Sequence, residues 1–202
     1  MTYYLLLGDF LSCKKTYIFF PLFSAGIFIF FLSCAPNAGV RENRQYIWLT
    51  DRSKYILLPP ENIENPMDNY QLVSASYGGW NYQMNAWVRA DETGIDMTLL
   101  NELGANMGEL IWRGGAVSFS SPVFPQSLNP QYIIADFQLC FYSAASVAHA
   151  LEESGLSFEE TESGRRVLNG NTVIIEITKS QNMVRFVNHL RGYVYTLEGD
   201  FK

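Results

Sequence analysis

Hydrophobic and polar residues alternate strictly from Trp80 to Ala90. Trp80, Tyr82, Met84, Ala86, Val88 and Ala90 fall on one face, and Asn81, Gln83, Asn85, Trp87 and Arg89 on the other. A period of two predicts a half-buried strand, because successive side chains of an extended chain point to opposite sides. Ile95, Met97 and Leu99 continue the pattern after Asp91-Glu92-Thr93-Gly94. Leu110 with Trp112, then Val117 with Phe119, repeat it around Gly114-Gly115. About four or five strands with short turns predict an antiparallel meander with one wet face. Upstream, Tyr46 to Leu58 holds two short apolar runs split by Thr50-Asp51-Arg52-Ser53. Pro59, Pro60 and Pro66 make 59–68 a loop, since proline cannot donate to a central ladder.

The period then changes. Asn129-Pro130 reads as a cap followed by a first helical proline, and Ile133, Phe137, Cys140 and Phe141 follow at helical spacing. A helix over about 131–141 is expected on the concave face of the sheet, with Phe137 and Phe141 turned inward. Ser143 caps a second short helix with Val147, Ala148 and Leu151 on its apolar side, and Gly155 ends it. Strands resume at 165–168 and 172–178, flanking the hairpin signal Asn169-Gly170-Asn171, and again at 183–190 and 193–197. Strands, two helices, then strands, without βαβ alternation, predict an α+β class with an antiparallel sheet.

The first 34 residues change the picture of where this domain works. Lys14 and Lys15 precede an uncharged apolar run from Tyr17 to Leu32, which closes on Ser33-Cys34 and switches to Ala35-Pro36-Asn37. Basic residues, an apolar core and a small residue at the cut are the signature of a secretory signal. The cysteine directly after the cut looks like a lipobox, which makes Cys34 the lipidation site. The alternative is an uncleaved membrane helix, for which this run is short and carries Pro21. The expected organisation is a lipoprotein signal peptide over 1–33, a flexible tether over 34–45 and a single domain over 46–202. Ala35 is not the aspartate that retains some lipoproteins in the inner membrane, so the outer membrane, facing the periplasm, is the expected location.

Composition then excludes several classes. The chain has a formal net charge of −6, and losing the signal makes the remainder more acidic, so it has no electrostatic footprint for DNA or RNA. Of Cys13, Cys34 and Cys140, only Cys140 remains free in a processed chain, where it reads as a buried core thiol. No HExxH, CxxC, GxSxG, GxGxxG or P-loop pattern occurs, and His149 and His189 lack metal-ligand neighbours. No catalytic residue, metal or cofactor is assigned. What stands out is aromatic and methionine content on the strand faces: Trp80, Tyr82, Met84, Trp112, Phe119, Tyr193 and Tyr195. One reading is a plain core; the other is an apolar cavity for a greasy guest.

Leu99-Leu100-Asn101-Glu102-Leu103-Gly104, Glu109-Leu110-Ile111-Trp112 and Ile133-Ile134-Ala135-Asp136-Phe137-Gln138-Leu139 carry a family resemblance. With the later Arg165-Arg166-Val167-Leu168, they resemble a bacterial lipoprotein family, domain of unknown function 3261. That family is similar to LolA and LolB, the periplasmic carrier and outer-membrane receptor for lipoproteins. The resemblance implies an open antiparallel half-barrel whose concave face is covered by helices. It also implies a lipid-anchored, non-enzymatic domain that binds or transfers acyl chains or other hydrophobic cargo. On that reading Trp80, Tyr82, Met84, Trp112, Phe119, Ile133, Phe137 and Phe141 line the ligand site. The partners are then the membrane, through the N-terminal lipid, and the hydrophobic ligand or lipoprotein acyl chains. The alternative is an assembly lipoprotein with a filled core and an envelope protein partner; an envelope hydrolase is a third option. Asp136 and Gln138, polar within the apolar helix, are expected to tie it to the sheet, with Arg165 or Arg166 as candidate partners.

Overall fold

The computed structural model describes residues 45–201. The predicted signal, Cys34 and the tether up to residue 44 lie outside the described residues. A ten-stranded, wholly antiparallel sheet dominates. Its first half is β3 (Met67–Tyr77), β4 (Trp80–Asp91), β5 (Gly94–Leu100), β6 (Asn106–Arg113) and β7 (Ala116–Ser120). Its second half is β8 (Ser157–Thr161), β9 (Gly164–Asn169), β10 (Thr172–Lys179), β11 (Met183–Asn188) and β12 (Tyr193–Glu198). The spatial order β7-β6-β5-β4-β3-β12-β11-β10-β9-β8 makes each half a meander, joined where β12 pairs with β3. The two edges, β7 and β8, are consecutive strands in the chain but do not pair, so the sheet stays open. A separate hairpin, β1 (Tyr46–Trp48) and β2 (Lys54–Ile56), precedes it, followed by a 3-10 turn at Pro60–Asn62.

The chain crosses from one edge to the other through two helices, α1 (Pro130–Phe141) and α2 (Ala144–Glu153). Their ends follow the local sequence. Asn129 Oδ1 accepts from the Gln131 N–H at 3.0 Å, and Pro130 opens the helix where no N–H is needed. The Ser143 side chain accepts from the Ser146 N–H, and Gly155 at φ 75° stops α2 in the left-handed conformation glycine tolerates. α1 packs against β7 and β1, β1 pairs with β2, and α2 packs against β2 and β8. Helices and hairpin thus bridge the gap between the sheet's edges.

Burial tracks the predicted alternation. Ala86, Val88 and Ala90 of β4, Ile95 and Met97 of β5, and Leu110 and Trp112 of β6 form one side of the core. Ile134, Leu139, Cys140 and Val147 of the helices face them, together with Ile47, Leu49, Tyr55 and Leu57 from the hairpin region. The hairpin is the main addition to the expected picture: its inward side chains fill space that sheet and helices alone would leave. β3 and β8 are also additions. In β3 the inward position Gln71 is polar, and its amide is satisfied by Asn69 Oδ1 at 2.8 Å, which breaks the apolar alternation in the sequence. β8 is an edge strand with Glu159 facing outward and Glu160 turned to Arg165, and both are exposed, so its pattern resembles a solvated loop. Among the described residues no helix is long and apolar enough to cross a membrane.

Candidate functional site

The inner face of the sheet, the one bearing α1, divides into a covered and an open part. Cross-strand register defines its rows, because residues paired in a ladder share a face. One row runs Asn188, Tyr193, Tyr77, Trp80 across β11, β12, β3 and β4. The next runs Phe186, Tyr195, Ala75, Tyr82. Phe186 stacks on Tyr195 at 4.9 Å and on Tyr193 at 5.9 Å. Under α1 these rows carry Asn188 and Phe186, which are buried, and Tyr193 and Tyr195, which are half-buried. Beyond the helix they run into solvent, because the β3–β4 hairpin continues past the end of β5, whose last pairing is Leu100 with Asn85.

The proposed ligand residues therefore separate. Trp80 is 71% exposed and Tyr82 49%, both on the projecting hairpin, and Met84 stands half-buried at the boundary. Phe119 on β7 and Ile133 on α1 are half-buried, Phe119 in the row of Leu110, Met97 and Val88. Trp112 at 2% and Phe137 at 6% belong to the packed interior. Phe137 does turn inward as predicted, against Phe141 at 4.8 Å, while Phe141 is half-buried and stacks on Phe201 at 5.6 Å. The structure brings Trp80, Tyr82 and Met84 together at one open end and places Trp112 and Phe137 deeper, in a close-packed region.

Polar chemistry is concentrated under α1. Gln138 is fully buried and clamps the chain after β2, its Oε1 accepting from Leu58 N–H at 2.9 Å and its Nε2 donating to Leu58 O at 2.8 Å. Asp136 accepts from the Tyr193 hydroxyl at 2.7 Å, and the Asn188 amide donates to that hydroxyl at 3.3 Å. Burial drives the Asp136 carboxyl up to about 7, with the Tyr193 hydrogen bond and the Arg191 charge pulling the other way. Burial also pushes the Cys140 thiol up to about 12, as a core thiol requires. Asp136 ties α1 to the sheet as expected, Gln138 ties it to the segment after β2 instead, and neither pairs with Arg165 or Arg166.

Arg165 instead caps the end of α1. Its guanidinium is 1% exposed and its Nη1 donates to the carbonyls of Leu139, Cys140 and Tyr142, the last at 2.7 Å. Glu160 at 2.9 Å and Glu64 at 3.1 Å balance the charge. Arg166, its neighbour, faces outward to Glu176. The alternation of a strand made this inevitable once one of the pair faced the core, but the sequence does not say which. The side-chain polar atoms Tyr55 Oη, Tyr142 Oη and Trp112 Nε1 are buried without a well-formed hydrogen bond.

An open groove of about 1220 Å³ runs along the hairpin, α2 and the β4–β5 and β6–β7 turns. Lys54, Glu61, Glu92, His149 and Glu153 line it beside Leu57 and Trp112, so it is not the apolar hollow expected from the strand faces. His149 lies 3.5 Å from Glu153 and His189 3.9 Å from Glu176, both at the surface. Among the described residues no group of three His, Cys, Asp or Glu side chains converges as metal ligands would.

No curated protein matches the chain. A solved DUF1329 family protein from Desulfovibrio piger is similar at 10% identity and a TM-score of 0.34, over 70% of this chain and 87% of that one. The family described as Protein of unknown function (DUF3261) matches residues 68–199, from the start of β3 through β12, and the chain belongs to that family.

Proposed function

We propose that this is a lipid-anchored, non-enzymatic domain of the cell envelope that binds or hands on hydrophobic cargo, with Cys34 as its anchor and an outer-membrane location. The single observation that supports it is the inner face of β4. Along one strand, Ala90, Val88 and Ala86 are buried, Met84 is half-buried, and Tyr82 and Trp80 stand open. An apolar face that continues past its cover presents surface on which an acyl chain gains burial at about 25 cal/mol per Å². The open antiparallel sheet with helices on its inner face is also what a resemblance to LolA and LolB implies. Cargo on this reading meets Trp80, Tyr82, Met84, Phe119 and Ile133, and stops short of Trp112 and Phe137.

A second reading, an assembly lipoprotein that binds an envelope protein, is favoured by the filled interior. Ile47, Leu49, Tyr55 and Leu57 occupy the space that an enclosed ligand would need. One experiment separates the two. The purified mature protein is titrated with a fluorescent long-chain acyl probe, alone and against lipid extract, and compared with Tyr82→Asp. The carrier reading expects saturable binding that Tyr82→Asp weakens while the circular dichroism spectrum is unchanged, since the side chain is exposed. A wild type that does not bind the probe overturns it.

A further inference from the structure

The loops at the open end of the sheet form a second feature. In order around that rim come the β11–β12 loop with Leu190, the β3–β4 tip with Tyr77 and Trp80, the β5–β6 loop with Leu103, and the β7–α1 loop with Val123. All five side chains are exposed, Leu103 to 94%. Two of the three aliphatic loops, those of Leu103 and Val123, are braced in that posture. Asn101 Oδ1 accepts from the N–H groups of Leu103 at 2.9 Å and Ala105 at 2.8 Å, and Asn101 N–H donates to Ala105 O at 3.0 Å. Ser121 Oγ accepts from the N–H groups of Val123 at 3.1 Å and Phe124 at 2.9 Å, and donates to Met107 O, next to the first loop. The backbone is fixed, yet each apex side chain points to solvent rather than back onto the fold.

The two ends of the sheet differ in charge. Among the described residues, connections at the opposite end carry Glu61, Glu64, Glu92, Glu162 and Asp200 and no lysine or arginine. Those at the open end carry Asp51, Arg52, Glu102 and Arg191, which balance in sign. An anionic lipid surface repels the first end and tolerates the second. The chain also enters the fold at the open end. Gln45 Oε1 accepts from Gln131 Nε2 at the start of α1, and Trp48 O accepts from Arg191 Nη2 in the β11–β12 loop. From Cys34 to Gln45 an extended chain reaches at most roughly 36–40 Å. An anchor at Cys34 is thus tethered to the fold at this rim rather than at the acidic one.

We infer that this rim is a bilayer-docking surface, with Trp80 and Tyr77 at headgroup depth and Leu103 and Val123 inserted between headgroups. Amphipathic rings settle at the membrane interface, and short aliphatic apices gain burial there. The inference rests on the anchor in the proposed function and adds an orientation: the open apolar face meets the membrane edge-on, where an acyl chain leaves or enters the bilayer.

The test uses the full lipoprotein reconstituted into phosphatidylcholine vesicles with and without brominated acyl chains. Bromine quenches tryptophan emission on contact, so the wild type is expected to be quenched and Trp80→Phe to lose most of that quenching. Leu103→Glu combined with Val123→Glu should also lose it while the protein still floats with the vesicles. That double variant should keep its acyl-probe binding in solution, which separates docking from cargo binding. Equal quenching in Trp80→Phe would place another face on the membrane and overturn the inference. Unquenched emission from vesicle-bound protein, as expected if the rim meets a protein instead, would do the same. A chain that does not float with the vesicles removes anchor and docking together, leaving the probe titration to judge cargo binding alone.

Discussion

Tyr193 and Trp80 stand on one cross-strand row, separated only by Tyr77, and live in opposite surroundings. Tyr193 lies under α1, stacked on Phe186 and hydrogen-bonded to Asp136. Trp80 has neither helix nor loop above it and is largely exposed. Residues of similar type, on the same face and at the same level of the sheet, thus serve as core in one half and as surface in the other. The difference is what covers them. α1 crosses β12 but does not reach the projecting β3–β4 hairpin, so chemistry suited to burial is left open at one end. Stability is expected to reside in the covered part and recognition in the open part.

The largest expected effect tests the covered part. Trp112→Asp should abolish the native circular dichroism spectrum, because the side chain is 2% exposed and an unpaired carboxylate there has no compensating charge. A folded Trp112→Asp protein would mean that water reaches this position and that the interior is a hollow after all.

A smaller effect, readable by pH, tests the contact between α1 and the aromatic rows. The Asp136 carboxyl is raised from 3.8 to about 7 by burial. The unfolded chain ionises it first, so its contribution to stability is fully present below pH 4 and is lost as pH rises towards 7. Denaturant unfolding of the wild type should lose on the order of 4 kcal/mol across that window through this group. Asp136→Asn should flatten the slope. An unchanged slope in the variant would show that the carboxyl is hydrated and that α1 sits less tightly on β12.

The smallest stability effect belongs to the open part. Trp80→Ala and Tyr82→Ala should each move the unfolding free energy by no more than about 0.5 kcal/mol, since neither side chain is packed. A loss comparable to that of a core substitution would mean that the hairpin tip is covered, and the contrast between the two regions would disappear.

Most of the fold was legible because it is written in local periods. The alternation of β4, the Asn129-Pro130 and Ser143 caps and the Asn169-Gly170 turn each need only neighbours along the chain to act. The elements that were missed lack that local signal. β3 hides behind a buried polar Gln71, β8 behind its edge glutamates, and the β1–β2 hairpin is too short to declare a period. The site was legible by residue type but not by position. Trp80, Tyr82, Trp112 and Phe137 are indistinguishable as hydrophobic residues, yet the structure sends the first two to the rim and the last two to the core. Arg165 and Arg166 could not be told apart in advance either, since only the helix end supplies the carbonyls that select one of them.

The sequence by itself determined the class, the antiparallel meanders, the two capped helices and the inward face of strands with a clear apolar alternation, such as β4 to β7. Those follow from backbone geometry and side-chain size within a few residues. Only the tertiary structure decided how far α1 and the hairpin extend over the inner face, and so which apolar residues are core and which are surface. Coverage depends on where distant segments end relative to one another, and no local period records that.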